Sequence, residues 1–143
     1  MEGEERKPRP AAVDGVVIRR LIISSVGHEG EILLVKRKNE PHIGEWALPG
    51  GFMNFDESAS DAIVREVHEE TGVKVRPLKI IGVFSDPKRD PRQTVAIALF
   101  CEPVFGIPTG GDDAEDAKWW NLYRLPPLAF DHAKIIKTAL EQL

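Results

Sequence analysis

Segment 51–73, GFMNFDESASDAIVREVHEETGV, constrains the fold more strongly than any other part of this 143-residue chain. Ser58 and Asp61 form the pattern of a capped helix start, and Gly72 occupies the position of a left-handed helix end. Between them, apolar residues recur at helical spacing. They are Ala59, Ala62, Ile63 and Val67. The segment therefore predicts an amphipathic helix that begins near Ser58 and packs one face on the core.

Three glutamates share one face of this predicted helix. Glu66, Glu69 and Glu70 stand at positions i, i+3 and i+4, which adjoin one another on a helical surface. Carboxylates at that spacing repel, so a helix built only for stability would interleave them with lysines. Mg²⁺ and Mn²⁺ prefer carboxylate oxygens and would relieve the repulsion. We interpret the cluster as a divalent-metal site, with a solvated acidic helix face as the alternative.

Gly50 and Gly51 precede the helix and predict a close approach of the backbone to an ion and a substrate. A side chain at either position would block that approach. Arg65 directly precedes the glutamates, and we expect it to pair with a carboxylate and orient it. A purely structural ion pair is the alternative for Arg65.

The same segment fits the Nudix signature G-x5-E-x7-R-E-U-x-E-E-x-G-U, in which U is apolar, at every position. The matching residues are Gly51, Glu57, Arg65, Glu66, Val67, Glu69, Glu70, Gly72 and Val73. The chain thus resembles the Nudix hydrolases, which use divalent metal to hydrolyse nucleoside diphosphates linked to another group. The resemblance implies an α/β (α+β) fold, the Nudix α/β/α sandwich with a mixed β-sheet, and Mg²⁺ or Mn²⁺ as cofactor.

The resemblance also implies roles for individual residues. The implied metal ligands are the Gly50 carbonyl, Glu66, Glu69 and Glu70. Glu57 is similar to the family's early glutamate, which supports the ligand cluster without doing chemistry; for Glu57 too, a structural ion pair is the alternative. The general base would be Glu69 or a carboxylate from the acidic loop 110–116, with Glu115 the first choice there and Asp113 the second. An ordinary solvated acidic loop is the alternative for that segment.

The second informative segment is SDPKRDPR at 85–92. Its two prolines restrict the backbone, and arginine forks such as those of Arg89 and Arg92 suit phosphate oxygens. Asp90 could accept hydrogen bonds from ribose hydroxyls or hold the arginines in place. The segment resembles the corresponding loop of ADP-ribose pyrophosphatases and of ADP-ribose-binding relatives within the Nudix family. A surface turn with an internal Arg–Asp pair is the alternative.

Further substrate contacts are expected beside the glycine pair. Arg37, at the end of a predicted strand, matches a basic residue that contacts phosphate in many Nudix proteins, with a solvated strand end as the alternative. Gly51 would allow close approach of the substrate, and Phe52 could line the site or pack in the core. Trp46 is interpreted as a core or wall residue.

Hydrophobic patterning predicts strands mixed around one or two helices, which suggests a mixed sheet between helices. Strands are expected at 13–25, 31–37, 73–85, 94–105 and 117–122, with a turn at 27–30, a loop at 106–116 and a final helix at 131–143. Asp131 is expected to cap that helix. Residues 1–12 are expected to form a disordered tail, and 13–143 a single Nudix domain.

Charge and composition limit the classes of partner that we expect this chain to bind. A net charge of −4 argues against a general nucleic-acid binder, although local arginines can still attract phosphate. The chain has no apolar run near 18 residues, so no membrane partner is expected, and cytoplasmic location follows weakly. The single cysteine, Cys101, is expected to be buried and inert. The resemblance allows a homodimer.

Together these features predict metal-dependent hydrolysis of the pyrophosphate bond of ADP-ribose, a small-molecule nucleoside diphosphate, to AMP and ribose 5-phosphate. One alternative is a Nudix hydrolase of another nucleoside diphosphate derivative or of a modified nucleoside triphosphate. The other is a non-catalytic ADP-ribose sensor.

Overall fold

The computed structural model describes residues 6–111 and 113–143, in which seven strands and two α-helices form one layered fold. The strands are β1 (Ala11–Ser24), β2 (Gly27–Arg37), β3 (Trp46–Ala47), β4 (Gly50–Phe52), β5 (Lys74–Phe84), β6 (Val95–Phe105) and β7 (Ala114–Asn121). The helices are α1 (Ala59–Thr71) and α2 (His132–Glu141), and a short 3-10 turn covers Pro87–Arg89.

The sheet is mixed. Its main path runs β3-β2-β1-β6-β5, while β4 pairs with β1 and β7 pairs with β2. Strands β1 and β6 are parallel, and the other pairs are antiparallel. Because β4 adds to β1 at Asp14↔Gly50 and Val13↔Gly51, the glycine pair is fixed to the central strand. The expected mixed α/β/α architecture is confirmed.

Strands β1 and β2 separate two apolar cores because their side chains alternate between the faces of the sheet. Val16 and Ile18 of β1 face the core that contains Ile135 of α2. Val13 and Val17 face the core that contains Ile63 of α1. This alternation puts one helix on each face of the sheet.

Helix α1 begins and ends where its local sequence predicts. The Ser58 hydroxyl accepts a hydrogen bond from the Asp61 backbone N–H, and Gly72 closes the helix at φ 76°. Both ends are therefore fixed by neighbouring residues, which makes this helix a rigid base for the three glutamates.

Several predicted boundaries are wrong. The β1–β2 turn lies at 25–26, because the chain re-enters the ladder at Gly27 opposite Ser24, not after a turn at 27–30. Strand β7 begins at Ala114, because Ala114 and Asp116 pair with β2 across a bulge; the predicted loop therefore ends earlier.

The N-terminal boundary also differs. Residues 1–5 of the predicted tail lie outside the described residues, but Ala11 and Ala12 already pair with β6. Arg9 donates to the backbone oxygens of Gln93 and Ser85, at 2.8 Å each. These contacts hold the chain on the sheet before residue 13.

The start of α2 departs from expectation in a way that affects the site. Asp131 is the N-cap residue, but its side chain makes no capping hydrogen bond. Its carboxylate accepts hydrogen bonds from Arg89 instead. In the described parts of the chain, no helix is long and apolar enough to cross a membrane.

Cys101 is buried within β6, and burial raises the pKa of its thiol to about 12. Because the thiolate is the reactive form, we expect the folded protein to react with a thiol reagent at least about a hundredfold more slowly than the unfolded chain. Timed labelling with and without denaturant measures this. Rapid labelling of the native protein would contradict the buried state.

Candidate active site

A cleft with a volume of about 350 Å³ opens among β1, β4, α1, the loop that follows β2 and the 85–92 loop. Three of the four predicted metal ligands line it: Gly50, Glu66 and Glu70. The same cleft is lined by all the predicted substrate contacts: Arg37, Gly51, Phe52, Arg89, Asp90 and Arg92. The fold therefore brings the signature helix and the 85–92 loop to one cavity.

Glu66 and Glu70 form the acidic side of the cleft. Burial raises the pKa of Glu66 and raises that of Glu70 well above its usual range, and for Glu70 the neighbouring Glu66 adds to the effect. The Gly50 N–H donates to Glu70 Oε1 at 3.3 Å. Two adjacent carboxylates whose charged forms are disfavoured make a strong site for a cation.

Arg65 joins the other acidic residues of the signature. Its guanidinium donates to Glu57 at 2.6 and 2.8 Å and to the Phe52 carbonyl at 3.0 Å. It also reaches Glu66 at 2.7 Å and Glu69 at 3.1 Å. The hydrogen bonds from Arg65 to Glu57, followed by the one from the Asn54 backbone N–H, lower the pKa of Glu57 to about 2. The contacts expected for Glu57 and Arg65 are thus present, and their support of a metal stays a prediction.

The three predicted carboxylate ligands differ in orientation. Within 6–111 and 113–143, no three His, Cys, Asp or Glu side chains are grouped closely enough to hold a metal ion by themselves. Glu69 is exposed and contacts Arg65, whereas Glu66 and Glu70 line the cleft. The donors that fit a divalent cation best are therefore Glu66 and Glu70, with the backbone oxygen of Gly50 beside them.

The two glycines leave space that any side chain would fill. A β-carbon at Gly51 would lie 2.5 Å from Glu66 Oε2, and one at Gly50 would overlap the Val13 carbonyl oxygen. The absence of both β-carbons lets β4 pass between β1 and the carboxylates of α1. The expected close approach of the backbone is present in the structure.

Arg37 and Arg92 line the same cleft as the glutamates and make part of its lining basic. Burial and the nearby charge of Arg92 lower the pKa of Arg37. The Arg92 guanidinium lies 5.1 Å from the Phe52 ring centre and 5.6 Å from that of Phe130. Because the positive charges of Arg37 and Arg92 repel each other, an anion bound between them would be favoured.

Asp90 serves as the partner of Arg92. Its carboxylate accepts from the Arg92 side chain at 2.9 and 3.1 Å and from the Arg92 backbone N–H at 2.9 Å. Burial opposes ionisation, but these hydrogen bonds hold the pKa of Asp90 below its usual range. Asp90 therefore fixes the arginine, one of the two roles expected for it.

Arg89 is held by protein groups. Its side chain is only 4% exposed, and it donates to Asp131 at 2.7 to 3.1 Å and to the Thr94 carbonyl at 3.1 Å. The phosphate contact expected for Arg89 stays a prediction, although its donors are largely used within the protein.

The acidic loop supplies Asp113 to the cleft, not Glu115. Asp113 lines the cavity and accepts a hydrogen bond from Asn39 at 3.0 Å. Glu115 is exposed in β7, 4.0 Å from Lys36. The structure therefore favours the second choice for a carboxylate from this loop.

Comparison with known proteins identifies the family. The family model of the NUDIX domain matches residues 16–139. The chain belongs to the Nudix family. Its relatives include the ADP-ribose pyrophosphatase of Methanocaldococcus jannaschii, 43% identical over 88% of this chain and 70% of that protein. Together with the domain match, that relative supports a pyrophosphohydrolase.

Solved Nudix structures share the fold. The NUDIX domain of Shewanella oneidensis NrtR complexed with ADP-ribose has a TM-score of 0.79 and 29% identity, over 96% of this chain and 90% of that one. A MutT/nudix family protein from Enterococcus faecalis has a TM-score of 0.80 and 30% identity, over 99% of this chain. This chain spans 64% of the enterococcal one.

Several cleft residues of this Nudix domain were missed by the sequence interpretation. Three of them, Asp14, Phe130 and His132, line the cavity. Asp14 gave a signal that could have been used, because it is a lone acid inside the apolar strand segment AAVDGVVI. Phe130 and His132 follow a proline-rich loop, and nothing in their local sequence links them to the signature helix.

Proposed function

We propose that this Nudix protein hydrolyses the pyrophosphate bond of ADP-ribose, giving AMP and ribose 5-phosphate, with Mg²⁺ or Mn²⁺ as cofactor. The observation that carries the proposal is that Glu66 and Glu70 line the same cleft as Arg37 and the arginines of the 85–92 loop. A diphosphate is negatively charged, so the glutamates can contribute to its binding only by holding metal ions.

Metal would be held by Glu66, Glu70 and the Gly50 carbonyl, with Glu69 as a further ligand. When bound, a divalent ion neutralises diphosphate charge and lowers the pKa of an attacking water. Arg65 supports the proposal, because its guanidinium donates to both Glu66 and Glu57 and so fixes the Glu66 carboxylate.

The protein's own groups would position the substrate. Arg37 and Arg92, which line the same cleft as the glutamates, would bind the diphosphate oxygens. The proton of the attacking water would pass to a carboxylate. Asp113, within the cleft, joins Glu69 and Glu115 as a candidate for that base.

Relatives favour ADP-ribose over other substrates. The archaeal relative carries the name ADP-ribose pyrophosphatase, and the Shewanella domain was crystallised with ADP-ribose. The SDPKRDPR loop supports the same choice, because two of its residues, Asp90 and Arg92, form an ordered pair at the cleft.

A substrate panel tests the proposal. ADP-ribose, NAD, ADP-glucose, diadenosine polyphosphates and modified deoxynucleoside triphosphates are incubated with Mg²⁺ or Mn²⁺, and the products are resolved by chromatography. Preferred turnover of ADP-ribose to AMP supports the proposal. Preference for a triphosphate would show that ADP-ribose is not the main substrate. Binding of ADP-ribose without turnover of any compound would favour the alternative of a non-catalytic ADP-ribose sensor.

Arg92→Ala is expected to raise KM for ADP-ribose by about tenfold, the equivalent of one charge-assisted hydrogen bond, with a smaller change in kcat. The side chain of Arg92 reaches the cleft, whereas exposed Lys88 in the same loop does not line it. Lys88→Ala is therefore the matched control. Equal KM values for the two variants in steady-state assays would remove Arg92 from substrate binding.

A further inference from the structure

We propose that His132 is a positioning residue that fixes segment 48–51, and with it the Gly50 carbonyl, against β1 and α1. The effect on metal rests on the proposed function, but the effect on the segment does not. His132 is the first residue of α2 and lines the same cleft as Glu66, which stands 66 positions earlier in the chain.

The hydrogen bonds of His132 define its ring state. The Leu48 backbone N–H donates to Nδ1 at 3.0 Å, so Nδ1 must be unprotonated. The ring proton is then on Nε2, which faces Asp14 Oδ2 at 3.6 Å. Burial lowers the pKa of the imidazole, in keeping with this neutral form. The histidine thus serves as an acceptor for a backbone group that no strand partner satisfies.

Segment 48–51 is anchored to three neighbouring elements, and its glycines also pair with β1 in the β1–β4 ladder. His132 holds Leu48 from α2, and the Pro49 carbonyl accepts from the Gly15 N–H of β1 at 2.8 Å. Gly50 donates to Glu70 of α1 at 3.3 Å. Loss of the α2 anchor would let the segment move where its glycines lack side chains to restrict it.

A buried ion pair fixes the histidine in turn. Asp131 accepts a two-pronged contact from Arg89, which also lies 3.9 Å from Asp14. The Asp131 carboxylate accepts from Arg89 and makes no capping hydrogen bond to α2, so the helix lacks a side-chain cap from this residue. Phe130, one residue earlier, has a strained φ of 54°. The first turn of α2 is thus shaped around the cluster of Asp14, Arg89, Asp131 and His132, which extends from the 85–92 loop to the glycine pair.

Two substitutions separate the acceptor from the bulk of the side chain. His132→Leu removes the acceptor, whereas His132→Asn can offer an oxygen near the position of Nδ1. Ile136→Val, in the core one turn along α2, is the matched control for lost stability. All four proteins are compared by thermal melting, by Mn²⁺ binding followed through the electron paramagnetic resonance of free Mn²⁺, and by steady-state turnover of ADP-ribose.

We expect His132→Leu to weaken Mn²⁺ binding about tenfold or more and to lower kcat with little change in KM, as for groups that orient a metal ligand. His132→Asn should recover most of both losses. Equal Mn²⁺ affinity in His132→Leu and the wild type, or losses in both His132 variants that match the control at equal melting temperature, would overturn the proposal.

Amide exchange measured by NMR, without metal or substrate, provides an independent readout. In His132→Leu the Gly50 amide should exchange faster, while amides of β1 and α1 keep their protection; His132→Asn should retain slow exchange at Gly50. Uniformly faster exchange would indicate a merely structural role and overturn the proposal. If His132→Leu does not fold, the ¹⁵N shifts of the wild-type ring decide, because a protonated Nδ1 contradicts the bond from Leu48. If the wild type binds no Mn²⁺, the proposed function fails, and exchange alone tests the positioning.

Discussion

Glu70→Gln should lower kcat by about a hundredfold or more while it leaves the fold intact or makes it more stable. Glutamine keeps an oxygen that can accept from the Gly50 N–H and removes the charge that burial and Glu66 disfavour. Loss of a direct metal ligand should cost at least as much as the 10- to 100-fold typical of groups that only orient one.

The stability gain has a definite pH dependence. Because the folded-state pKa of Glu70 is raised, its ionisation costs stability as pH rises above the usual glutamate value and through the folded-state pKa. Glutamine does not ionise, so in EDTA at neutral pH the variant should melt at or above the wild-type temperature, and the difference should vanish at acidic pH. Added Mn²⁺ should stabilise the wild type only.

Glu102→Gln is the control for this experiment. Glu102 of β6 pairs with Arg76 of β5, outside the residues that line the cleft, and exposed pairs contribute little to stability. That variant should keep wild-type kcat and its response to Mn²⁺. If Glu70→Gln keeps kcat within about threefold of the wild type, Glu70 does not belong to the metal site.

The parts of the site that could be predicted from the sequence are those fixed by local contacts. Ser58 and Gly72 determine the ends of α1, and helical spacing then determines which way Glu66 and Glu70 face. The glycine pair was predictable for the same reason, since close approach requires the missing β-carbon at those two positions.

The parts that could not be predicted depend on distant partners. The sequence suggested that Arg89 binds phosphate, but its guanidinium donates hydrogen bonds to Asp131, 42 positions away. The sequence ranked Glu115 above Asp113, whereas Asp113 lines the cleft, because a bulge in the β2–β7 ladder decides which of the two reaches it. Pairings across that separation arise from the packing of α2 and β7, which local propensity does not encode.

Gly51→Ala should abolish most turnover without unfolding the protein. The three atoms nearest to an added β-carbon, at 2.5 to 2.8 Å, all belong to the Glu66 carboxylate, which Arg65 holds at 2.7 Å. Glu66 must therefore leave its place in the cleft, and kcat and Mn²⁺ affinity should each fall about tenfold or more. Steady-state kinetics and Mn²⁺ titration measure both losses.

Gly50→Ala should fail differently, because its β-carbon would overlap the Val13 carbonyl oxygen and lie 3.0 Å from Asp14 Cα. Backbone of β1 cannot move without breaking the sheet, so we expect a loss of about 3 kcal/mol in the free energy of unfolding. Gly82→Ala, whose β-carbon would meet only Phe84 at 3.6 Å, is the control and should change neither property. If Gly51→Ala loses as much stability as Gly50→Ala, its effect on turnover could not be assigned to Glu66. A stable but inactive Gly51→Ala would instead tie activity to the position of that carboxylate.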